Sequence, residues 1–105
     1  MIVEYTRYKI DSTRREAFEM AYKKAVSSLE ASSHCLDYEL ARCTEDPDHY
    51  TLRIEWDSEE GHLQGFRSSS EFRAFFAVVQ PFVKNIEEMR TYEVLLASIE
   101  PKPQV

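Results

Sequence analysis

Glycine is almost missing from this chain: Gly61 and Gly65 are the only two among 105 residues. A loop that cradles phosphates needs clustered glycines, so no nucleotide cofactor is expected. Basic runs are missing too. With 13 Lys and Arg against 19 Asp and Glu, the formal net charge is −6, and the chain lacks the electrostatic footprint of a nucleic-acid binder. No apolar stretch approaches the ~20 residues that span a bilayer. The start, Met-Ile-Val-Glu-Tyr, has no basic segment ahead of a hydrophobic one. Neither a membrane span nor a signal peptide is expected, and the expected location is the cytoplasm. Cysteine is limited to Cys35 and Cys43. If both lie on one extended strand they stand roughly 26 Å apart, whereas a disulfide needs Cα atoms within about 7 Å. The spacing is not that of a CxxC motif, so two free, buried or half-buried thiols are expected.

What is present fits one small domain. The apolar share of 43% and the charged share of 30% are ordinary for a soluble globular protein. A monomer of this size buries only roughly 65% of its unfolded surface, so self-association would help it.

Residues 2–10 are rich in β-branched and aromatic types and read as a strand. Asp11-Ser12-Thr13 stops it, and Thr13 with Glu16 fits a capping box. The stripe Ala17, Phe18, Ala21, Tyr22, Ala25, Val26 and Leu29 then repeats at helical spacing to about residue 31. Residues 35–43 alternate, with Leu36, Tyr38 and Leu40 on one face and Asp37, Glu39 and Ala41 on the other. After the turn Thr44-Glu-Asp-Pro-Asp48, residues 49–56 alternate again, Tyr50, Leu52, Ile54 and Trp56 opposing Thr51, Arg53 and Glu55. The pair reads as an antiparallel hairpin. Asp57 with Glu60, or Ser58 alone, suits the start of a short helix carrying Leu63 and Phe66. Ser68 with Glu71 offers a second capping box, before Phe72, Phe75, Phe76 and Val79, and Pro81 should end or kink that helix. Residues 88–96 read as a last strand and 98–105 as a tail. The expected fold is α+β: a ferredoxin-like βαββ(αα)β unit over residues 1–97 with a four-stranded antiparallel sheet.

One face of the hairpin is apolar and belongs under the helices. The other mixes Asp37, Glu39, Arg53 and Glu55 with Ala41 and Thr51. Such a face suits either solvent or a second sheet packed against it.

The stretch Tyr50-Thr-Leu-Arg-Ile-Glu-Trp56-Asp-Ser-Glu-Glu-Gly-His62-Leu63, with Ser69-Ser70-Glu71-Phe72-Arg73-Ala74-Phe75-Phe76 after it, resembles the second half of an antibiotic biosynthesis monooxygenase domain. That family is a ferredoxin-like module of the dimeric α+β barrel superfamily. The resemblance implies a homodimer whose two sheets build one barrel. It also implies a monooxygenase that oxidises a small, electron-rich aromatic molecule of the quinol or phenol type with dioxygen and needs no metal or flavin. The deprotonated substrate itself supplies the electron that activates oxygen. The protein then has to offer a dry aromatic pocket, a base and donors to an anionic intermediate.

On that reading His62, which matches the His of the His-Leu pair after the strand-end Trp, is the base, and Tyr38 or Tyr8 donates to the oxyanion. Trp56, Phe66, Phe72, Phe75 and Phe76, with Tyr8, line the substrate pocket. Two departures stand out: Phe66 and Glu71 occupy positions where relatives often carry further histidines, and neither replaces an imidazole as a proton shuttle. The Asn/Trp/His set of the haem-degrading branch is also missing, with Gly65 and Phe76 near two of its positions. His34 and His49 have no metal-ligand spacing. The alternative is a small-molecule-binding or interaction domain that kept the fold without catalysis. A cavity between the even face of residues 36–56 and the helices over 58–80 separates the two, because an enzyme needs one.

Overall fold

A computed structural model describes residues 1–97; the expected tail, 98–105, lies outside the described residues. Four strands, β1 (Ile2–Lys9), β2 (Cys35–Arg42), β3 (His49–Trp56) and β4 (Ile86–Glu93), form one antiparallel sheet in the order β2-β3-β1-β4. One face carries α1 (Arg15–Ala31), a π-helical segment (Gly61–Phe66), α2 (Ser70–Val79) and a 3-10 turn (Gln80–Asn85). This is the expected ferredoxin-like arrangement. The core lies between the sheet and this helical layer, where Phe18, Tyr22, Ala25 and Leu29 of α1 meet Tyr8, Tyr50, Leu52, Ile54 and Trp56. The i, i+4 spacing on α1 and the period of two on β3 are what bring these faces together.

Several local expectations need correction. The Thr13–Glu16 capping box does not form, because the Asp11 carboxylate accepts hydrogen bonds from both the backbone N–H and the hydroxyl of Thr13. The first cap residue of α1 is instead Arg14, without a side-chain bond to the helix. The second box is displaced by one residue: Ser69 Oγ accepts from the Phe72 N–H at 3.1 Å, while the Ser68 hydroxyl donates back to the Gln64 carbonyl. Ser58 alone serves the short helical segment, accepting from the Gly61 N–H at 2.9 Å. Pro81 does end α2, which tightens into the 3-10 turn. The last strand starts and stops earlier than expected, leaving Leu95 and Leu96 exposed beyond it.

A bulge in β2 between Cys35 and Asp37 changes which residue faces the helices. Leu36 is the extra residue and turns out to solvent, and Cys35 packs against the core in its place. The period of two survives only from Asp37 onward, as expected of a bulge that shifts the phase by one. Cys35 and Cys43 are both free and half-buried. Burial pushes the Cys35 thiol up to about 11, so it stays protonated near neutrality.

The two glycines have a steric job rather than a phosphate-binding one. A β-carbon on Gly61 would collide with the Asp57 carboxylate, and one on Gly65 with the His34 ring. Their absence of side chains lets His34 Nδ1 reach Asp57 at 2.9 Å. That contact, with the Asp57 N–H donating to the His34 carbonyl at 2.9 Å, ties the end of β3 to the start of β2. His49 sits at the opposite end of the sheet, with Asp46 at 2.8 Å and Glu87 at 3.1 Å.

Candidate active site

β1 departs from the apolar pattern on its core-facing side. Ile2, Glu4, Thr6 and Tyr8 share the phase that points under the helices, and Glu4 and Thr6 are buried there. A carboxylate in an aromatic core is costly to desolvate unless it is held by donors or charges. Glu4 has both. Its Oε1 accepts a hydrogen bond from Trp56 Nε1 at 3.2 Å and lies 3.5 Å from His62 Nε2.

His62 is buried and stacked on the Trp56 indole, with ring centroids 4.7 Å apart and planes 12° from parallel. The backbone that carries it is wound more widely than an α-helix. The Arg67 N–H donates to the His62 carbonyl at 3.1 Å, an i to i+5 bond, the kind of π-turn often found at functional sites. Burial lowers the imidazole pKa, and the Glu4 carboxylate works against that shift. The ring is therefore neutral at physiological pH. With its proton on Nε2 toward Glu4, Nδ1 is a bare acceptor, and among the described residues it has no hydrogen-bond partner. A buried, unpartnered, neutral imidazole nitrogen beside a fixed carboxylate can take a proton and have the resulting cation stabilised.

Next to this pair is a cavity of about 250 Å³ between the sheet and the helical layer. Its wall includes Tyr8, Trp56, His62, Phe66, Phe72, Phe75 and Phe76. Seven of the eight residues singled out from the sequence thus converge on one space. Phe66 packs at 4.9 Å from Trp56 and 5.5 Å from Phe72, and Phe72 stacks on Phe76 at 5.8 Å. Arg67 lies at the rim, its guanidinium 5.4 Å from the Phe72 ring. Deeper in, Tyr8 and Tyr22 join hydroxyl to hydroxyl at 2.5 Å, and burial raises the pKa of both.

The eighth residue, Tyr38, is elsewhere. It points along the outer edge of β2, where its hydroxyl donates to the Glu30 carboxylate, and it does not line the cavity. The reason is topological: β2 is an edge strand, separated from the cavity by β3. Glu71 lies in the first turn of α2. It does not line the cavity.

Sequence reasoning missed Glu4 and Tyr22. For Glu4 a signal existed, a carboxylate in the core-facing phase of a strand, where a satisfied polar group must have a partner inside. Tyr22 was hidden in an amphipathic stripe, where its ring alone justified its position.

Comparison with known proteins agrees with this architecture. The model of the antibiotic biosynthesis monooxygenase family matches residues 1–78. The chain is 29% identical over 82 residues to the uncharacterized protein YczJ of Bacillus subtilis (strain 168), across 78% of this chain and 86% of that protein. A crystal structure from Bordetella bronchiseptica, described as a candidate antibiotic biosynthesis monooxygenase, superposes with a TM-score of 0.74 at 23% identity, covering 90% of this chain and 97% of that one. A Mycobacterium tuberculosis structure gives 0.74 at 12% identity, covering 92% and 97%. At such identities the structural matches speak for the fold.

Proposed function

The chain belongs to the antibiotic biosynthesis monooxygenase family, and from that premise we propose that it is a cofactor-independent monooxygenase oxidising an aromatic, quinol-type small molecule with dioxygen. The observation that carries this reading is His62, buried on the wall of an aromatic cavity with Nδ1 unpartnered among the described residues and Glu4 behind its other nitrogen.

In this mechanism a phenolic substrate enters the cavity and displaces the side chains that cover His62 Nδ1, so that its hydroxyl meets that nitrogen. The imidazole takes the phenolic proton, and Glu4 stabilises the imidazolium that results. The electron-rich phenolate then transfers an electron to dioxygen, and the radicals combine at a hydrogen-bearing ring carbon ortho or para to the oxygen. One oxygen atom stays on that carbon. The other leaves as water with the phenolic hydrogen and the hydrogen displaced from the carbon. The substrate supplies all the electrons, so no external reductant enters. Trp56 and the phenylalanines exclude water, which would otherwise solvate the anion and drain off reactive intermediates.

The test is oxygen uptake by metal-free protein against a panel of hydroquinones and naphthols, with His62→Ala alongside. Turnover above the spontaneous rate is expected, falling about 100-fold or more in the variant. Undiminished turnover in His62→Ala would keep the enzyme and discard the base. No turnover across the panel would favour the second reading, a small-molecule-binding or interaction domain. That reading draws its support from Phe66 and Glu71, which stand where relatives often carry histidine and leave the cavity with a single imidazole.

We also infer a cytoplasmic homodimer. Support for the dimer comes from the sheet face away from the helices, where Val3, Tyr5, Arg53 and Glu55 are already buried or half-buried by one another and offer a seat to a second copy. Among the described residues no helix is long and apolar enough to cross a membrane. Light scattering at micromolar concentration that returned a monomer would overturn the dimer.

A further inference from the structure

The cavity has a second polar end that the base does not reach. Glu4 and Tyr8 stand four residues apart on β1, about 13 Å along the strand. Glu4 belongs to the His62–Trp56 end, and Tyr8 to the other, against Phe18 and Tyr22 of α1. There the Tyr8 and Tyr22 hydroxyls meet at 2.5 Å, both residues 2% exposed. Each hydroxyl carries one proton. One proton is consumed in the bond between them. The other has no acceptor among the described residues, because neither hydroxyl makes a second hydrogen bond. A buried O–H without an acceptor is costly, and both tyrosines that form the pair line the cavity that a ligand can enter.

We propose that the Tyr8–Tyr22 pair is an oxygen-binding subsite, which donates one hydrogen bond to a carbonyl or hydroxyl oxygen at the far end of the substrate from the atom that His62 deprotonates. The substrate class is accordingly a rigid fused-ring phenol with a second oxygen on its distal ring. A single-ring phenol with one oxygen leaves this donor unsatisfied. The pairing strengthens the subsite, because a hydroxyl that accepts one hydrogen bond is polarised toward donating another. The proposal rests on the reading of this cavity as the substrate site, but it does not require that oxygen be activated there.

The test is calorimetric binding, without turnover, of two matched ligands below their phenolic pKa: 6-hydroxy-1-tetralone, and 5,6,7,8-tetrahydro-2-naphthol, which lacks the carbonyl. Wild-type protein should favour the ketone by about five- to tenfold, the worth of one buried hydrogen bond. In the double variant Tyr8→Phe/Tyr22→Phe that preference should vanish, while binding of the carbonyl-free phenol persists. The double variant is needed because in either single variant the remaining hydroxyl becomes free to donate. His62→Ala should weaken both ligands alike and leave their ratio unchanged. A ratio near one in wild type, or a ratio that survives the double variant, overturns the subsite. General damage to the cavity would move both affinities together and so cannot imitate the result. Failure of oxygen uptake with the ketone preference intact would discard the monooxygenase reading and leave the subsite standing.

Discussion

The helical layer presents aromatic side chains to the sheet in two places, with opposite results. Over the α1 half, Phe18 is wholly buried, with ring centroids 4.9 Å from Tyr8, 5.1 Å from Tyr22, 4.7 Å from Tyr50 and 5.2 Å from Phe82. Phe18 itself lines no cavity, although Tyr22 and Tyr50 beside it also border an open groove between α1 and the β2–β3 edge. Over the other half, Trp56, Phe66, Phe72, Phe75 and Phe76 surround a cavity of about 250 Å³. Two things separate the halves. A continuous 17-residue helix lies along the first, whereas the second is roofed by three short pieces of different helical winding, the first two joined by residues 67–69 and the last two abutting at Val79 and Gln80. The second half also buries Glu4 and His62, whose polar atoms must be served before carbon can be packed against them. Aromatic content marks both halves equally, and the buried carboxylate–imidazole pair of Glu4 and His62 marks the second.

The largest effect expected from this contrast is on stability. Phe18→Ala should cost about 3–5 kcal/mol, since close packing leaves a residual void. Phe76→Ala, whose ring is 41% exposed at the cavity rim, should cost below about 1 kcal/mol. Urea denaturation of the two variants reads the difference directly. Equal losses would mean that the cavity half is packed as tightly as the other.

The fold was legible in the sequence because its signals were long and periodic: the stripe from Phe18 to Leu29, and the alternation from Tyr50 to Trp56 across the strong turn at 44–48. What escaped was local competition. Thr13 matched a cap, but Asp11 captured its hydroxyl; Leu36 was in phase, but a bulge removed it. At the site, His62 and the aromatic wall were readable from the family-like segment. Glu4 was not, because a strand with one acidic residue in its core phase still reads as a strand. Tyr38 was assigned by face alone, and a face does not say how far a strand lies from a cavity.

A second break in the comparison concerns Glu4, a buried carboxylate with no counterpart around Phe18. Glu4→Gln keeps an acceptor for Trp56 Nε1 but removes the charge beside His62. Turnover should fall by about tenfold, as expected when a neighbouring charge no longer stabilises the protonated base. The pH profile gives the sign. Activity needs neutral His62, so it is present at neutrality and lost as pH falls through the depressed imidazole pKa, below the ordinary value of 6.5. Since Glu4 holds that value up, the variant's acid limb should move to lower pH. An unmoved limb would assign the titration to another group.

A smaller effect follows for stability. Because burial lowers the folded-state pKa of His62, the unfolded chain binds more protons between that value and 6.5, and stability must drop as pH falls through this window. Thermal melts at about pH 7.5 and about pH 5.5 should therefore show a larger loss in wild type than in His62→Gln. Equal losses in both would mean that His62 does not resist protonation in the folded state.

The smallest effect sharpens the boundary of the site. Tyr38→Phe removes a hydroxyl that faces the Glu30 carboxylate at the edge of β2, on the far side of β3 from the cavity. That bond raises the tyrosine pKa, which keeps the phenol protonated at every pH where the enzyme would work, so no charge changes when the hydroxyl is deleted. An exposed hydrogen bond of this kind exchanges one partner for water and has little net worth. Turnover should therefore stay within about twofold of wild type, with an unchanged pH profile. The contrast with the double variant Tyr8→Phe/Tyr22→Phe is what gives the measurement its force. All three tyrosines lie in elements that flank the core, and all three hydroxyls are hydrogen-bonded to a side chain. Only the pair at the cavity has a proton left over to offer. A large loss in Tyr38→Phe would place the donor at the sheet edge and require the cavity to extend past β3.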